Sequence, residues 1–96
     1  GGGDSMSSAL AMAMAFSDAR LKEDIKFEGK SPSGLSIYTF KYKKNNAAGV
    51  NSQKRYRGVL ADDVELIHPD AVKKDRSTGM KMIDYRKIDV MLEEVV

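Results

Sequence analysis

A run of alternating apolar and polar residues, Leu35-Ser36-Ile37-Tyr38-Thr39-Phe40-Lys41-Tyr42-Lys43-Lys44, decides the fold class of this chain. Successive side chains of an extended segment point to opposite faces, so the three aromatic residues fall on one side and the two aliphatic residues on the other. The turn signal Ser31-Pro32-Ser33-Gly34 comes directly before the run. The pattern therefore predicts a strand with one aromatic face and lysines at its C-terminal end.

Two further strands and a short helix are predicted on the C-terminal side of this strand. Residues 55–60 end in an apolar pair and read as a second strand. Asp62 or Asp63 is suited to cap a short helix that Pro69 terminates. Residues 75–79 have the composition of a hairpin turn that leads into a third strand. We therefore expect an α+β fold, in which short helices pack on a small, largely antiparallel sheet from strands near 35–44, 55–60 and 80–85.

The N-terminal segment Met6 to Phe16 is nearly free of charge and is built from good helix formers. Met6, Leu10, Ala13 and Met14 share one face of a helix at spacings of four and three. Such a helix would bury itself either against copies of itself, as a three-fold stalk, or in the core of a monomer. The pattern alone leaves both arrangements open.

The C-terminal segment carries a second apolar pattern. Ile88, Met91, Leu92 and Val95 repeat at spacings of three and four, which predicts the start of an amphipathic helix. The pattern is still running at Val96, where the sequence stops.

Composition narrows the function classes. The 96 residues permit one small domain, and 16 basic against 14 acidic residues give a net charge of +2, too balanced to argue for nucleic acid alone. The chain has no cysteine and one histidine, His68, which argues against a metal site or a Ser-His-Asp triad. No apolar run approaches the length of a membrane span. We expect no metal, no cofactor and no membrane partner.

The segment most informative for function is Phe16-Ser17-Asp18-Ala19-Arg20-Leu21-Lys22-Glu23-Asp24-Ile25. A purely structural interpretation exists, in which Ser17 caps a helix, Asp18 favours its first turn, and Phe16 packs against Leu21 across the cap. In that interpretation Lys22 is an ordinary solvated lysine.

The same segment resembles the signature of a family. Ser-Asp-x-Arg-Leu-Lys, followed by an apolar residue three positions on, is similar to the phage intramolecular chaperone family (peptidase S74, chaperone of endosialidase). That family is the self-cleaving C-terminal domain of tail spikes, tail fibres and neck appendages. Further blocks resemble the family in the same order and bring the resemblance to residues 17 to about 88: Gly34–Tyr42, Gly58–Val64, His68–Val72 and Gly79–Tyr85.

The resemblance implies a cleavage site between Phe16 and Ser17. The hydroxyl of Ser17 would attack the Phe16 carbonyl to form an ester that water resolves, and Lys22 would be the base of a Ser-Lys dyad. A lysine acts as a base only when it is neutral, so its pKa must fall well below about 10.4. Burial would lower that pKa and Arg20 would add to the effect, whereas Asp18 and Glu23 would oppose it.

Two positions depart from the family pattern. Tyr56 stands where the family often has histidine, and Asp62 stands where it favours glutamine. If these positions hold the scissile carbonyl or orient the base, cleavage would be slow or lost. The possible supporting residues are therefore Asp18, Arg20, Tyr56 and Asp62.

The resemblance also implies an organisation for the chain. Residues 1–16 would be the end of the preceding fibre or stalk, and residues 17–96 the chaperone auto-processing domain. Its partners would be two more copies, in a homotrimer, and the upstream fibre or spike trunk of the same polypeptide. The helical stripe from Ile88 to Val95 would start a second contact between the chains of that trimer. The precursor would be made in the host cytoplasm and belong to the virion tail fibre, and the chaperone part would be released after cleavage.

Two alternatives belong to other function classes. The domain could be a structural trimerisation module of a fibre or adhesin that never cuts. It could also bind nucleic acid, since Lys41–Lys44 and Lys54–Arg57 are basic runs with interleaved aromatic residues. The strand pattern explains those aromatic residues as one face of a core, and we therefore expect no nucleic-acid partner.

Overall fold

The computed structural model describes residues 14–46 and 49–96. In these ranges the chain forms seven strands and one α-helix. They are β1 (Met14–Phe16), β2 (Lys22–Lys30), β3 (Ser36–Tyr42), β4 (Arg55–Gly58), α1 (Ala61–Ile67), β5 (Val72–Lys74), β6 (Lys81–Asp84) and β7 (Glu93–Val95). Three 3-10 turns, Ala19–Leu21, Pro69–Ala71 and Tyr85–Lys87, connect some of these elements.

The strands form two antiparallel sheets. One sheet has four strands in the order β2-β3-β4-β7, and the other has three in the order β1-β6-β5. β1 lies at the edge of the smaller sheet, where Phe16 is opposite Met82. β2 lies at the edge of the larger sheet, where its first residue, Lys22, is opposite Tyr42 at the end of β3. The junction from β1 to β2 therefore connects the two sheets.

The core consists of two clusters of buried residues. The first is largely aliphatic and lies around α1: Leu35, Val59, Ala61, Val64, Ala71, Ile83 and Val90. The second contains Leu21, Phe40, Tyr42 and Tyr56, with Phe16 and Leu92 among the residues packed against it. Because Phe16 packs against this second cluster, the cluster lies next to the junction between Phe16 and Ser17.

The strand and helix predictions for the middle of the chain are confirmed. β3 buries Phe40 and Tyr42 of its aromatic face, and Leu35 before it is buried in the other cluster. The predicted helix α1 is present and ends before Pro69, but the predicted cap is wrong: Leu60 is the N-cap, and Asp62 and Asp63 lie in the first turn, where acidic side chains are favourable. Because β5 and β6 pair antiparallel across residues 75–80, the predicted hairpin is also confirmed.

The predicted C-terminal helix is wrong. Glu93–Val95 form β7, which pairs with β4, and Ile88 and Leu92 pack into the core of their own chain. Pairing supplies hydrogen bonds to the edge of β4 that would otherwise be left open, whereas so short a helix would be marginal alone. The expected trimer contact through a helical stripe therefore loses its basis.

The predicted N-terminal helix lies mostly outside the described residues. Met6, Leu10 and Ala13 lie outside the described residues. The last three residues of the segment, Met14–Phe16, form the strand β1 and not a helix. Pairing with β6 accounts for this, since a tertiary partner overrides the weak helical preference of a short segment.

β2 was not predicted from the sequence. Most of its residues are exposed, including Phe27 at 60%, and its register with β3 shifts at two irregularities. These shifts erase the strict alternation by which a strand is recognised.

No helix in the described part of the chain is long and apolar enough to cross a membrane.

Candidate active site

Three hydrogen bonds from different elements hold the backbone at Phe16 and Ser17, and two of them bind the peptide group that joins these residues. The Ser17 N–H donates to the Lys81 carbonyl at 3.1 Å, and the Ser17 carbonyl accepts from the Ala61 N–H at 2.8 Å. The Tyr42 hydroxyl donates to the Phe16 carbonyl oxygen at 2.8 Å. The bond is thus fixed between β6, the start of α1 and the end of β3.

Ser17 is almost completely buried, with 1% of its surface exposed. Its Oγ lies 3.3 Å from the hydroxyl oxygen of Tyr85. That tyrosine hydroxyl also lies 3.4 Å from the N–H of Val59, which fixes its position. Ser17 therefore does not cap a helix, and its hydroxyl is shielded from bulk water next to the carbonyl of the preceding residue.

Lys22 is buried as well, with 2% of its surface exposed. Its Nζ donates to the Val59 carbonyl at 3.0 Å and lies 3.8 Å from the centroid of the Phe40 ring. Burial disfavours the ammonium form and lowers the pKa of Lys22 to about 7, although the Asp18 carboxylate opposes this shift. The neutral amine that a general base requires is therefore well populated near neutral pH.

Ser17 and Lys22 approach Val59 from its two sides. Tyr85 links the serine hydroxyl to the Val59 N–H, and Lys22 binds the Val59 carbonyl. Within residues 14–46 and 49–96, no hydrogen bond joins Ser17 Oγ directly to Lys22 Nζ. Catalytic hydrogen bonds are often loose in a resting enzyme and tighten only as the reaction begins.

Arg20 does not act as expected. Its exposed guanidinium pairs with the Asp18 carboxylate at 2.7 Å and is not among the groups that shift the pKa of Lys22. The hydrogen bonds from Arg20 hold the pKa of Asp18 well below its usual range. Asp18 also accepts from the Arg20 N–H at 3.0 Å and the Lys81 N–H at 3.1 Å. These two residues therefore fix the turn after the candidate bond.

The two positions that depart from the family pattern lie at different depths. Tyr56 is 1% exposed, and its ring centroid lies 5.7 Å from that of Tyr42 in an edge-to-face contact. It thus supports the residue that binds the Phe16 carbonyl. Asp62 is exposed and pairs with the Lys81 ammonium at 2.7 Å, so it reaches the candidate bond only through Lys81.

Two tyrosines that the sequence did not assign to the site lie at its centre. Tyr42 binds the Phe16 carbonyl, and Tyr85 contacts the Ser17 hydroxyl. Each is the last residue of a block that resembles the family, Gly34–Tyr42 and Gly79–Tyr85. Their place at the block ends is the signal that could have identified them.

Gly58 makes room for Tyr85. A Cβ atom at this position would lie 2.8 Å from the Tyr85 hydroxyl oxygen and 3.1 Å from a methyl carbon of Leu92. No side chain fits there unless these groups move. The glycine therefore permits the close approach of Tyr85 to Ser17 and Val59.

Comparison with known families identifies the family of the chain. A family model for peptidase S74, described as the chaperone of endosialidase, matches residues 17–73. The chain belongs to the chaperone of endosialidase family. The match covers more than half of the chain and begins at Ser17, the residue after the candidate bond. No curated protein and no solved structure shows significant similarity to the chain.

Membership of this family supports a chaperone role associated with a fibre or spike trunk.

The aromatic residues of the two basic runs, Tyr42 and Tyr56, are buried, so their rings are not available to stack on bases. In the described part of the chain no group of three or more histidine or acidic side chains could hold a metal ion.

Proposed function

We propose that residues 17–96 form an intramolecular chaperone that trimerises and guides the folding of a phage tail fibre or spike trunk. The domain then releases itself by cutting between Phe16 and Ser17. The observation that carries this proposal is the buried Lys22, whose pKa is lowered to about 7, in the same buried cluster as Ser17 and the Phe16 carbonyl. Burying a lysine without a carboxylate partner lowers the stability of the fold, and a role as base would explain why a lysine lies here.

In the proposed reaction, the Ser17 hydroxyl exchanges its contact with Tyr85 for one with neutral Lys22 and gives Lys22 its proton. Its Oγ attacks the Phe16 carbonyl carbon, and the C–N bond breaks as the Ser17 nitrogen takes up the proton that Lys22 received. The acyl group of Phe16 is then an ester on Oγ. Water hydrolyses that ester and leaves a carboxylate at Phe16 and a free amine at Ser17.

A fibre benefits from such a domain because its trunk contains contacts between chains that form slowly. Unpaired strand edges invite aggregation during that time. A compact domain that trimerises first raises the effective concentration of the trunk chains for one another. Its removal after folding breaks the covalent link to the folding aid, so that the mature fibre is kinetically trapped.

Intact mass over time tests the cleavage. We expect the wild-type protein to break between Phe16 and Ser17, while Ser17→Ala and Lys22→Met stay whole. Lys26→Met is the matched control, because Lys26 lies on the same strand but is exposed. Cleavage of Lys22→Met at the wild-type rate would remove Lys22 from the mechanism.

A non-cleaving trimerisation module is the second candidate. The observation in its favour is that Ser17 Oγ contacts Tyr85 and not Lys22. The same experiment separates the two functions. Wild-type protein that stays whole and sediments as a trimer would support the module and exclude the peptidase.

A further inference from the structure

The Phe16 carbonyl faces away from its own sheet. Hydrogen-bonded and non-hydrogen-bonded pairs alternate along an antiparallel ladder, and the N–H of Ser17 already bonds the carbonyl of Lys81. The neighbouring pair of Phe16 and Met82 is therefore of the non-bonded kind, with its backbone groups directed outward. Among the described strands β1 lies at the edge of its sheet, so none of them receives this carbonyl.

The Tyr42 hydroxyl occupies that outward position. It donates to the Phe16 carbonyl oxygen at 2.8 Å. The ring is 2% exposed and is fixed by edge-to-face contacts with Phe40 and Tyr56, each with ring centroids 5.7 Å apart. The donor is thus held in place before any reaction begins.

From these contacts we propose that Tyr42 is a catalytic residue that stabilises the oxyanion formed on the Phe16 carbonyl oxygen when Ser17 attacks. This inference rests on the proposed function, since it assigns a role within the same cleavage. When Oγ bonds the carbonyl carbon, the π electrons of the carbonyl move onto its oxygen. The Tyr42 O–H already points at that oxygen and keeps its proton, while its hydrogen bond strengthens as the charge develops.

Two features of the site support this role. Burial raises the pKa of Tyr42, so the phenol remains a donor over the range in which Lys22 loses its proton. Lys22 Nζ lies 5.7 Å from the centroid of the Tyr42 ring. Lys22 therefore lies close to the ring of the proposed donor.

The test compares Tyr42→Phe with the matched control Tyr38→Phe, in which the same hydroxyl is removed from the same face of β3. Intact mass gives the rate and thermal unfolding verifies the fold. We expect Tyr42→Phe to cut about 10²–10³-fold more slowly than wild type, the effect of losing one oxyanion donor. The pH at half-maximal rate should not move, because Lys22 remains the base. Tyr38→Phe should cut at the wild-type rate.

A second variant covers the case in which Tyr42→Phe fails to fold. A fluorinated tyrosine at position 42 keeps the ring and the hydroxyl but makes the phenol more acidic and a stronger donor. Cleavage should accelerate as long as the phenol stays protonated. A rate independent of phenol acidity would overturn the assignment.

The outcomes separate this inference from the proposed function. Cleavage by wild type and Tyr42→Phe at equal rates would overturn the role of Tyr42 and leave the peptidase intact. Wild-type protein that never cuts, under conditions in which it is folded, would overturn both. A folded Tyr42→Phe that is slowed, beside an unaffected Tyr38→Phe, supports both.

Discussion

At the scale of one residue, the surroundings of Lys22 explain its lowered pKa. Its ammonium is buried against two aromatic rings and has one hydrogen bond, to the carbonyl of Val59. Ring faces and a carbonyl dipole compensate only part of the lost hydration, and the pKa of Lys22 falls to about 7. The opposing Asp18 carboxylate is itself paired with Arg20, which limits its pull on the lysine. The lowered pKa of Lys22 is therefore obtained at the expense of the stability of the fold.

The first prediction concerns the pH dependence of cleavage. Only the neutral form of Lys22 can take the Ser17 proton, so the rate should rise with pH to a plateau, with a midpoint near the lowered pKa of about 7. Intact mass at a series of pH values measures this rise. A rate that does not change with pH across this range would contradict the role of Lys22 as base.

The second prediction concerns stability, measured in the uncut Ser17→Ala background by urea unfolding. The pKa of Lys22 is about 7 in the folded state against a model value of 10.5, so the unfolded chain binds more protons between these values. Stability should therefore rise with pH above about 7, by at most ~1.4 kcal/mol per pH unit for one proton. The comparison should stop near pH 9, roughly one unit before free tyrosines lose their protons. Lys22→Met should abolish the rise, and an equal rise in that variant would assign it to another group.

At the scale of elements, the site depends on the meeting of the two sheets. β1 presents the carbonyl of Phe16, and the end of β3 presents the hydroxyl of Tyr42. Tyr85, in the turn after β6, reaches Ser17 across the space that Gly58 leaves open. Each element contributes one group, so the arrangement exists only when both sheets are formed.

The third prediction addresses Gly58 through a double-mutant cycle in the Ser17→Ala background. A Cβ at Gly58 would clash with the Tyr85 hydroxyl, so Gly58→Ala should cost about 1–3 kcal/mol of unfolding free energy. Tyr85→Phe removes that hydroxyl and should relieve part of the clash. The two changes should therefore be non-additive by ~0.5 kcal/mol or more. Strict additivity would mean that the Tyr85 hydroxyl is not what excludes a side chain at Gly58.

The fourth prediction distinguishes the strand β7 from the helix expected from the sequence. A helical stripe would bury Met91 and Leu92 together, whereas in the structure Met91 is 74% exposed and Leu92 packs on the aromatic cluster. Leu92→Ala should cost roughly 2 kcal/mol or more, and Met91→Ala less than about 0.5 kcal/mol. Thermal unfolding of the two variants decides the matter, and similar losses in both would favour the helix.

At the scale of the whole molecule, the described chain leaves several large apolar side chains exposed. They are Ile25, Phe27, Leu66, Ile67, Met91 and Val96. Phe27 lies on the outer strand of the larger sheet, where its ring meets Tyr38 edge to face. A small domain gains stability when such surfaces are covered, which is consistent with the proposed trimer.

The fifth prediction is therefore the oligomeric state. Sedimentation equilibrium should give three times the chain mass of 10.6 kDa. Phe27→Ser would show whether the outer face of β2 takes part, because its loss should then shift the mass toward that of one chain. A monomeric wild-type protein at all concentrations would contradict the proposed trimer.

By itself, the sequence determined the central strand, the helix and the hairpin. These features follow from local causes, namely the alternation of Leu35–Lys44, the acidic first turn of α1 and the turn residues 75–79. The dyad of Ser17 and Lys22 stays a prediction. Family membership likewise follows from blocks that can be read along the chain.

Only the tertiary structure decided the rest. β1 and β7 are strands because a partner edge was available to each, and neither partner is visible in the local pattern. Burial, and not Arg20, lowers the pKa of Lys22, and that burial exists only once the strands have packed. Tyr42 and Tyr85 contact Phe16 and Ser17 from positions that are distant in the sequence. A catalytic arrangement is a set of distances between such residues, and distances across the chain are fixed by packing and not by spacing in the sequence.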